Sequence, residues 1–201
     1  MPDPSTVFIV DDDAEVRTSL RLLMESVQLN SACFASAEEF LAAYSADQPG
    51  CLITDVRMPG MSGLELQRHL ADTNIAIPII IITAHGEIPM AVDAVQAGAV
   101  DFIPKPFSPQ KLLERVREAI QFDIDRRKDS ARQLESQRRL AELSPREREI
   151  MDLLLEGHSA KKIAAMLGVS AKTVDFHRRN MLVKMAADNL VELSHLVPRG
   201  S

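Results

Sequence analysis

Thr6–Val10 (TVFIV) is a β-branched, apolar run that stops at three aspartates. Residues 14–27 then repeat Val16, Leu20, Leu23, Met24 and Val27 at helical spacing. Asn30–Phe34 predicts a short strand. Ser36-Ala-Glu-Glu39 reads as a capping box opening a helix to about Ser45. Cys51–Thr54 is apolar and ends at Asp55, and Ser62-Gly-Leu-Glu65 reads as a second capping box. Pro78–Thr83 (PIIIIT) has the continuous apolar character of a strand buried on both faces. A helix over 87–97 should end at Gly98, a C-cap signal. Val100–Ile103 reads as a strand stopped by Pro104-Lys105-Pro106. Ser108 and Pro109 then supply an N-cap and a proline at the first helical position.

Five apolar strands thus alternate with five helices over about 120 residues. Strands of this kind predict a parallel sheet with helices on both faces, and such sheets carry their sites beyond the C-terminal strand ends. The polar residues fall there: Asp11, Asp12 and Asp13 after the first strand, Asp55 after the third, Thr83 after the fourth and Lys105 after the fifth.

Residues 121–140 contain no Gly or Pro and many strong helix formers, so the fifth helix should continue into a linker. Its apolar positions, Leu113, Val116, Ile120, Ile124, Ala131 and Leu134, are interrupted by Arg127; the stretch reads as a solvated charged helix, with a short coiled coil as the alternative. Ser144-Pro-Arg-Glu147 is a third capping box, opening a helix with Ile150, Met151, Leu154 and Leu155 on one face and ending near Gly157. Lys161–Leu167, the turn Gly168-Val169-Ser170 and the longer helix Ala171–Met185 form a helix-turn-helix pattern, and a last helix begins near Asn189. Residues 1–122, 123–140 and 141–195 are therefore expected to be a first domain, a helical linker and a second domain. Leu196-Val-Pro-Arg-Gly-Ser201 spells a thrombin site and is set aside as an added tail.

Composition sharpens this division. Residues 1–120 hold 17 acidic and 8 basic side chains, whereas residues 141–201 hold 8 and 9. An acidic half followed by a mildly basic one suits a cation site and then a polyanion contact. No apolar run approaches the ~18 residues of a membrane span. Met1-Pro2-Asp3-Pro4 lacks the basic flank and apolar stretch of a signal peptide, so a cytoplasmic location without membrane partners is expected. Cys33 and Cys51 lie in apolar segments without a CxxC or a histidine cluster and read as reduced core residues.

Carboxylates gathered at strand ends favour a hard divalent cation, and Asp12 and Asp55 could offer oxygens to Mg2+. Each aspartate alone reads as a loop residue or helix cap; the combination of acids, a hydroxyl and a lysine at four strand ends is more specific. Val10-Asp-Asp-Asp13, Thr54-Asp55-Val-Arg-Met-Pro-Gly60, Met61-Ser-Gly63, Thr83-Ala84-His85-Gly86, Gly98-Ala-Val-Asp-Phe102 and Lys105-Pro106-Phe107 together resemble the receiver domains of two-component response regulators. The resemblance covers residues 5–122. It implies a flavodoxin-like, doubly wound α/β receiver phosphorylated on Asp55. Asp11, Asp12, Asp55 and the Arg57 carbonyl would hold Mg2+, and Thr83 and Lys105 would bind phosphoryl oxygens. Lys105-Pro106 would be a cis peptide. Thr83 and Phe102 would be switch residues, although a Phe in a strand is by default core.

Residues 143–195 resemble the NarL/FixJ, or LuxR-type, output domain. The resemblance rests on Leu143-Ser-Pro-Arg-Glu-Arg-Glu149, Gly157, Lys162-Ile-Ala164, Leu167-Gly168-Val169-Ser170, Thr173-Val174, His177 and Lys184-Met185. His85-Gly86-Glu-Ile-Pro-Met-Ala-Val92 looks FixJ-like. In such a domain Lys172, Thr173, Asp175, Phe176 and Arg179 would meet double-stranded DNA, with Val174, Met181 and Leu182 in the core. His177 reads either as a buried histidine or as a phosphate contact. Asp175 stands where members of that family often carry a basic residue, and it could accept from cytosine N4 or repel a phosphate.

The expectation is a transcription factor rather than a metabolic enzyme. A sensor histidine kinase would phosphorylate Asp55 with Mg2+, and the phosphorylated chain would form a homodimer through its fourth helix, fifth strand and fifth helix. RNA polymerase would be a further partner. Slow hydrolysis of the acyl phosphate would reset the switch. The alternatives are a receiver-controlled protein- or RNA-binding module without DNA output, and a Mg2+-dependent phosphatase, against which the separate helix-turn-helix argues.

Overall fold

The structure, a computed structural model, describes residues 5–84 and 88–197. Strands β1 (Thr6–Val10), β2 (Asn30–Phe34), β3 (Gly50–Asp55), β4 (Ile79–Thr83) and β5 (Asp101–Pro104) pair in parallel in the order β2-β1-β3-β4-β5. Helices α1 (Ala14–Ser26), α2 (Ala37–Ala43), α3 (Gly63–Asp72), α4 (Ile88–Gln96) and α5 (Pro109–Ala141) connect and follow them.

Alternate strand residues feed two cores. Phe8, Val10, Ile79 and Ile81 pack with Phe40 of α2 and Leu66 and Leu70 of α3. Val7, Ile9, Ile80 and Ile82 pack with Leu20 and Met24 of α1 and Leu112 and Val116 of α5. Both faces of the sheet are covered, which is why its strands read as unbroken apolar runs. This is the expected five-stranded doubly wound receiver fold, followed by a helical C-terminal part.

Two capping boxes form in full. At α3, Glu65 N–H donates to Ser62 Oγ (3.3 Å) and Ser62 N–H donates back to Glu65 Oε2 (2.9 Å). Ser144 and Glu147 do the same at the start of the next helix. The box expected at Ser36 is half made: Glu39 N–H reaches Ser36 Oγ, but the Glu39 carboxylate accepts from Ala35 N–H instead. At α5, which begins at Pro109 as expected, the Ser108 carbonyl accepts from Leu112 N–H at 3.1 Å and its hydroxyl donates to the Gln110 side chain at 2.9 Å. The fifth strand sits one residue later than expected, at Asp101–Pro104. His85, Gly86 and the start of the helix expected from residue 87 lie outside the described residues.

The chain divides into two compact units, residues 1–127 and 128–201, and the division falls within the 33 residues of α5. The stretch expected to begin the linker is bound into the first unit. Asp123 is fully buried, and its carboxylate accepts from Gly50 N–H (3.0 Å) and from Arg127 Nε (2.6 Å) and pairs with Arg126. The Arg127 guanidinium also donates to the carbonyls of Ala46 (2.7 Å) and Gln48 (2.9 Å).

The second unit holds α6 (Pro145–Leu155), α7 (Ala160–Leu167), α8 (Ala171–Met185) and α9 (Leu190–Leu196) around Ile150, Met151, Ile163, Val174, Met181, Met185 and Leu193. Gly168 ends α7 at φ +66°, a left-handed turn that a side chain would strain, and Ser170 caps α8 at once. Leu196 and Val197, set aside with the tail, belong to this fold: both pack on the core, and Ser136 Oγ donates to the Leu196 carbonyl. Residues 198–201 lie outside the described residues.

Cys33 and Cys51 are free thiols, and burial pushes the Cys51 thiol up to about 12. Among the described residues no helix is long and apolar enough to cross a membrane.

Candidate functional site

β1 lies between β2 and β3, so chain connections leave in opposite directions beside it. The crevice at the C-terminal ends of β1 and β3 is the topological switch point, where such sheets bind ligands. Asp11 follows β1 and Asp55 ends β3. Lys105, just past β5, reaches both: its Nζ donates to Asp11 Oδ2 at 2.9 Å and to Asp55 Oδ1 at 3.1 Å. The other Asp55 oxygen, Oδ2, accepts from Arg57 N–H at 2.9 Å.

The three aspartates after β1 do different work. Asp11 is buried, and its Oδ1 accepts from Asp13 N–H at 2.9 Å. Asp12 is exposed. Asp13 caps α1, its Oδ1 accepting from the N–H groups of Glu15 (2.8 Å) and Val16 (3.4 Å). Burial pushes the Asp11 carboxyl above the usual carboxylate range, against the pull of Asp13 N–H and Lys105. Burial also opposes the Lys105 charge, but the two carboxylates outweigh it and hold the ammonium above its ordinary value.

Thr83 is buried at the end of β4, and its carbonyl accepts from Lys105 N–H at 2.7 Å, which sets the two residues side by side. The Lys105–Pro106 peptide is cis. Phe102, on β5, is half-buried and packs on the α2–α3–α4 side of the sheet. Gly63 makes this crevice possible: a Cβ there would stand 2.1 Å from the Asp55 carbonyl oxygen, so only glycine lets α3 start against the strand end.

Asp11, Asp55, Thr83 and Lys105 are thus brought to one crevice. Among the described residues no three acids, histidines or cysteines converge as a metal cage. A site for Mg2+ does not need such a cage, since that ion keeps several waters and takes one or two carboxylates. Asp11 and Asp55, sharing one ammonium, fit that donor set.

In the second unit, Lys172, Asp175, Phe176 and Arg179 are exposed on α8 at spacings of three and four, hence on one face. Phe176 is 61% exposed, which is unusual for its size, and its ring meets the half-buried His177 edge-on at 5.6 Å. Thr173 is turned to capping: its N–H and hydroxyl both meet Ser170 Oγ, at 3.0 and 2.7 Å. Val174 and Met181 are buried as expected, and Leu182 is partly so. Arg178 lines a surface groove with Asp175, Arg179, Leu182 and Val183.

A doubly wound sheet with an acid–lysine crevice, followed by a helix-turn-helix unit, defines a receiver coupled to a DNA-binding domain. Residues 7–117 match the response regulator receiver domain and residues 141–197 match the bacterial regulatory proteins of the luxR family. The chain belongs to the response regulators that carry this luxR-type DNA-binding domain. It is 46% identical to nodulation protein W of Bradyrhizobium diazoefficiens, over 93% of this chain and 82% of that one. It is 39% identical to the transcriptional regulatory protein FixJ of the same organism, over 96% and 94% of the two chains. The structure of response regulator StyR superposes with a TM-score of 0.87 at 42% identity, covering 96% of this chain and 98% of that one.

Proposed function

We propose that Asp55 is the phosphoacceptor of this response regulator and that its phosphorylation promotes dimerisation and sequence-specific DNA binding. The observation that carries this reading is the Lys105 ammonium held between Asp11 and Asp55 at the switch-point crevice. An Asp55 carboxylate oxygen attacks the phosphorus of a phosphohistidine on a sensor kinase. The P–N bond breaks, and the imidazole leaves and takes up a proton. Lys105 meets charge on the phosphoryl oxygens, and Thr83 donates its hydroxyl to one of them. Asp11, Asp12, Asp55 and the Arg57 carbonyl would hold Mg2+, which supplies further neutralisation of the same oxygens. Thr83 and Phe102 are the residues that would sense the phosphoryl group. Water later cleaves the acyl phosphate, so the chemistry serves a switch, and the chain works in the cytoplasm.

Val92 and Val95 of α4 are 47% and 53% exposed and support a homodimer through α4, β5 and α5. Two-fold pairing suits a two-half-site operator. Lys172, Asp175, Phe176 and Arg179 are the DNA-facing set, Thr173 acts through the cap, and RNA polymerase is the downstream partner. This reading takes residues 1–122 as the receiver, 123–140 as the connecting helix and 141–195 as the output domain. Output through RNA or another protein has no feature in its favour that DNA binding lacks.

Incubation with a small phosphodonor and Mg2+ tests the assignment. The wild-type chain should take up an acid-labile phosphoryl group and Asp55→Asn should not. Labelling of that variant at the wild-type rate would overturn the site. A phosphorylated chain that stays monomeric in sedimentation yet binds its operator cooperatively would overturn the dimer.

A further inference from the structure

The C-terminal end of α8 is held more tightly than its own sequence accounts for. Ala186, which ends the helix, sits at φ +49°, a left-handed conformation that costs an alanine energy. Such a residue persists where its surroundings over-determine it. Ala186 and Ala187 N–H close the turn on the carbonyls of Val183 (3.1 Å) and Leu182 (3.0 Å). Arg139 Nη1 donates to the Met185 carbonyl at 3.1 Å. Lys184 Nζ donates to the Glu147 carboxylate at 2.6 Å and to the Glu142 carbonyl at 3.2 Å.

Glu147 is the hub of this cluster. It is only 4% exposed, and its Oε2 also accepts from Ser144 N–H (2.8 Å) and Ser144 Oγ (2.9 Å). One carboxylate oxygen therefore fixes the start of α6 and the last turn of α8 together. Residues 139–147, by which the chain enters this domain, and the far end of α8 become a single piece. The exposed face carrying Lys172, Asp175, Phe176 and Arg179 begins at the other end of the same helix. The length of α8, 15 residues at about 1.5 Å each, turns a small tilt at one end into a displacement at the other.

We propose that Glu147, Lys184 and Arg139 are positioning residues that set the direction of α8 on DNA and so contribute to base discrimination without touching DNA. The proposal rests on α8 being the recognition helix. Its test therefore carries Arg179→Ala as a comparator.

The experiment measures full-length chain binding to a matched and a scrambled duplex at two salt concentrations, for Lys184→Met, Lys184→Arg and Arg179→Ala. Lys184→Met should lose about tenfold in discrimination, the size of one misplaced base contact, with its salt slope unchanged. Lys184→Arg keeps the charge and should restore most of that loss. Circular dichroism and a thermal melt establish that each variant is folded at the assay temperature. Glu147→Gln keeps the side-chain shape, weakens the charge pair, and should give a smaller loss of the same kind if Lys184→Met fails to fold. A salt slope that falls by about one unit in Lys184→Met would mean that the ammonium contacts a phosphate, which overturns the proposal. Unchanged discrimination in folded Lys184→Met, with Arg179→Ala impaired, overturns it as well. If Arg179→Ala also leaves affinity, slope and discrimination unchanged, the recognition-helix reading falls with it.

Discussion

The buried Asp123 carboxylate of α5 accepts the backbone N–H of Gly50, the first residue of β3, at 3.0 Å. Arg127 completes the link by donating to the carbonyls of Ala46 and Gln48 in the segment that leads into β3. The strand that ends in Asp55 is thereby tied at its other end to the helix that continues into the second unit. Removing the carboxylate leaves a buried N–H and two guanidinium groups without their partner. Asp123→Ala should therefore cost about 2–4 kcal/mol, below the largest values for buried pairs because both arginines can turn to water. Denaturant unfolding of the receiver checks it. A loss under about 0.5 kcal/mol, the level of an ordinary surface change, would show that the link is incidental.

Gly63→Ala should damage the crevice rather than the fold at large. Its Cβ would meet the Asp55 carbonyl at 2.1 Å, so the start of α3 or the end of β3 must move. The phosphorylation rate of Asp55 should fall well beyond any change in far-ultraviolet circular dichroism. A variant with wild-type phosphorylation kinetics would show that the close approach is not needed.

Arg179 and Asp175 separate two kinds of DNA contact. If Arg179 meets a base edge, Arg179→Ala should cost ~1–3 kcal/mol and relax preference at one position. If it meets a phosphate, binding should weaken evenly and the salt slope should drop by about one unit. Asp175 lines the same groove and repels phosphate, so Asp175→Ala should strengthen non-specific binding while loosening base choice. Titration of matched and scrambled duplexes at two salt concentrations distinguishes these outcomes, and receiver phosphorylation should be unchanged in both variants.

Glu147 predicts a pH dependence for the second unit. Burial works against its charge, but the Lys184 ammonium and the Ser144 donors outweigh burial and hold the carboxyl below its ordinary 4.5. A carboxyl lowered by folding stabilises the folded state above the unfolded value, and that stability is lost as pH falls through the folded value. The melting-temperature gap between wild type and Glu147→Gln should thus be widest near neutral pH and narrow below pH 4.5. A gap constant from pH 7 to pH 3 would show that the charge contributes nothing.

What the sequence alone determined was local or periodic. Apolar runs marked the strands, spacings of three and four marked the helices, and glycine and serine marked the turn before α8, because backbone geometry imposes these patterns within a few residues. The strand-end aspartates, Thr83 and Lys105 were legible for the same reason: a parallel sheet places its polar residues past the C-terminal ends of its strands. The tertiary structure alone decided which of these groups touch. Lys105 meets Asp11 across 94 residues of chain and Asp55 across 50, while Asp13, equal to its neighbours in sequence, turns to cap α1. Arg127 looked like an interruption in a solvated charged helix, and Glu147 like part of a capping box. The partners in the Gly50–Asp123 and Glu147–Lys184 pairs lie 73 and 37 residues apart, and a charged side chain carries no local pattern that says where its counter-charge will be brought.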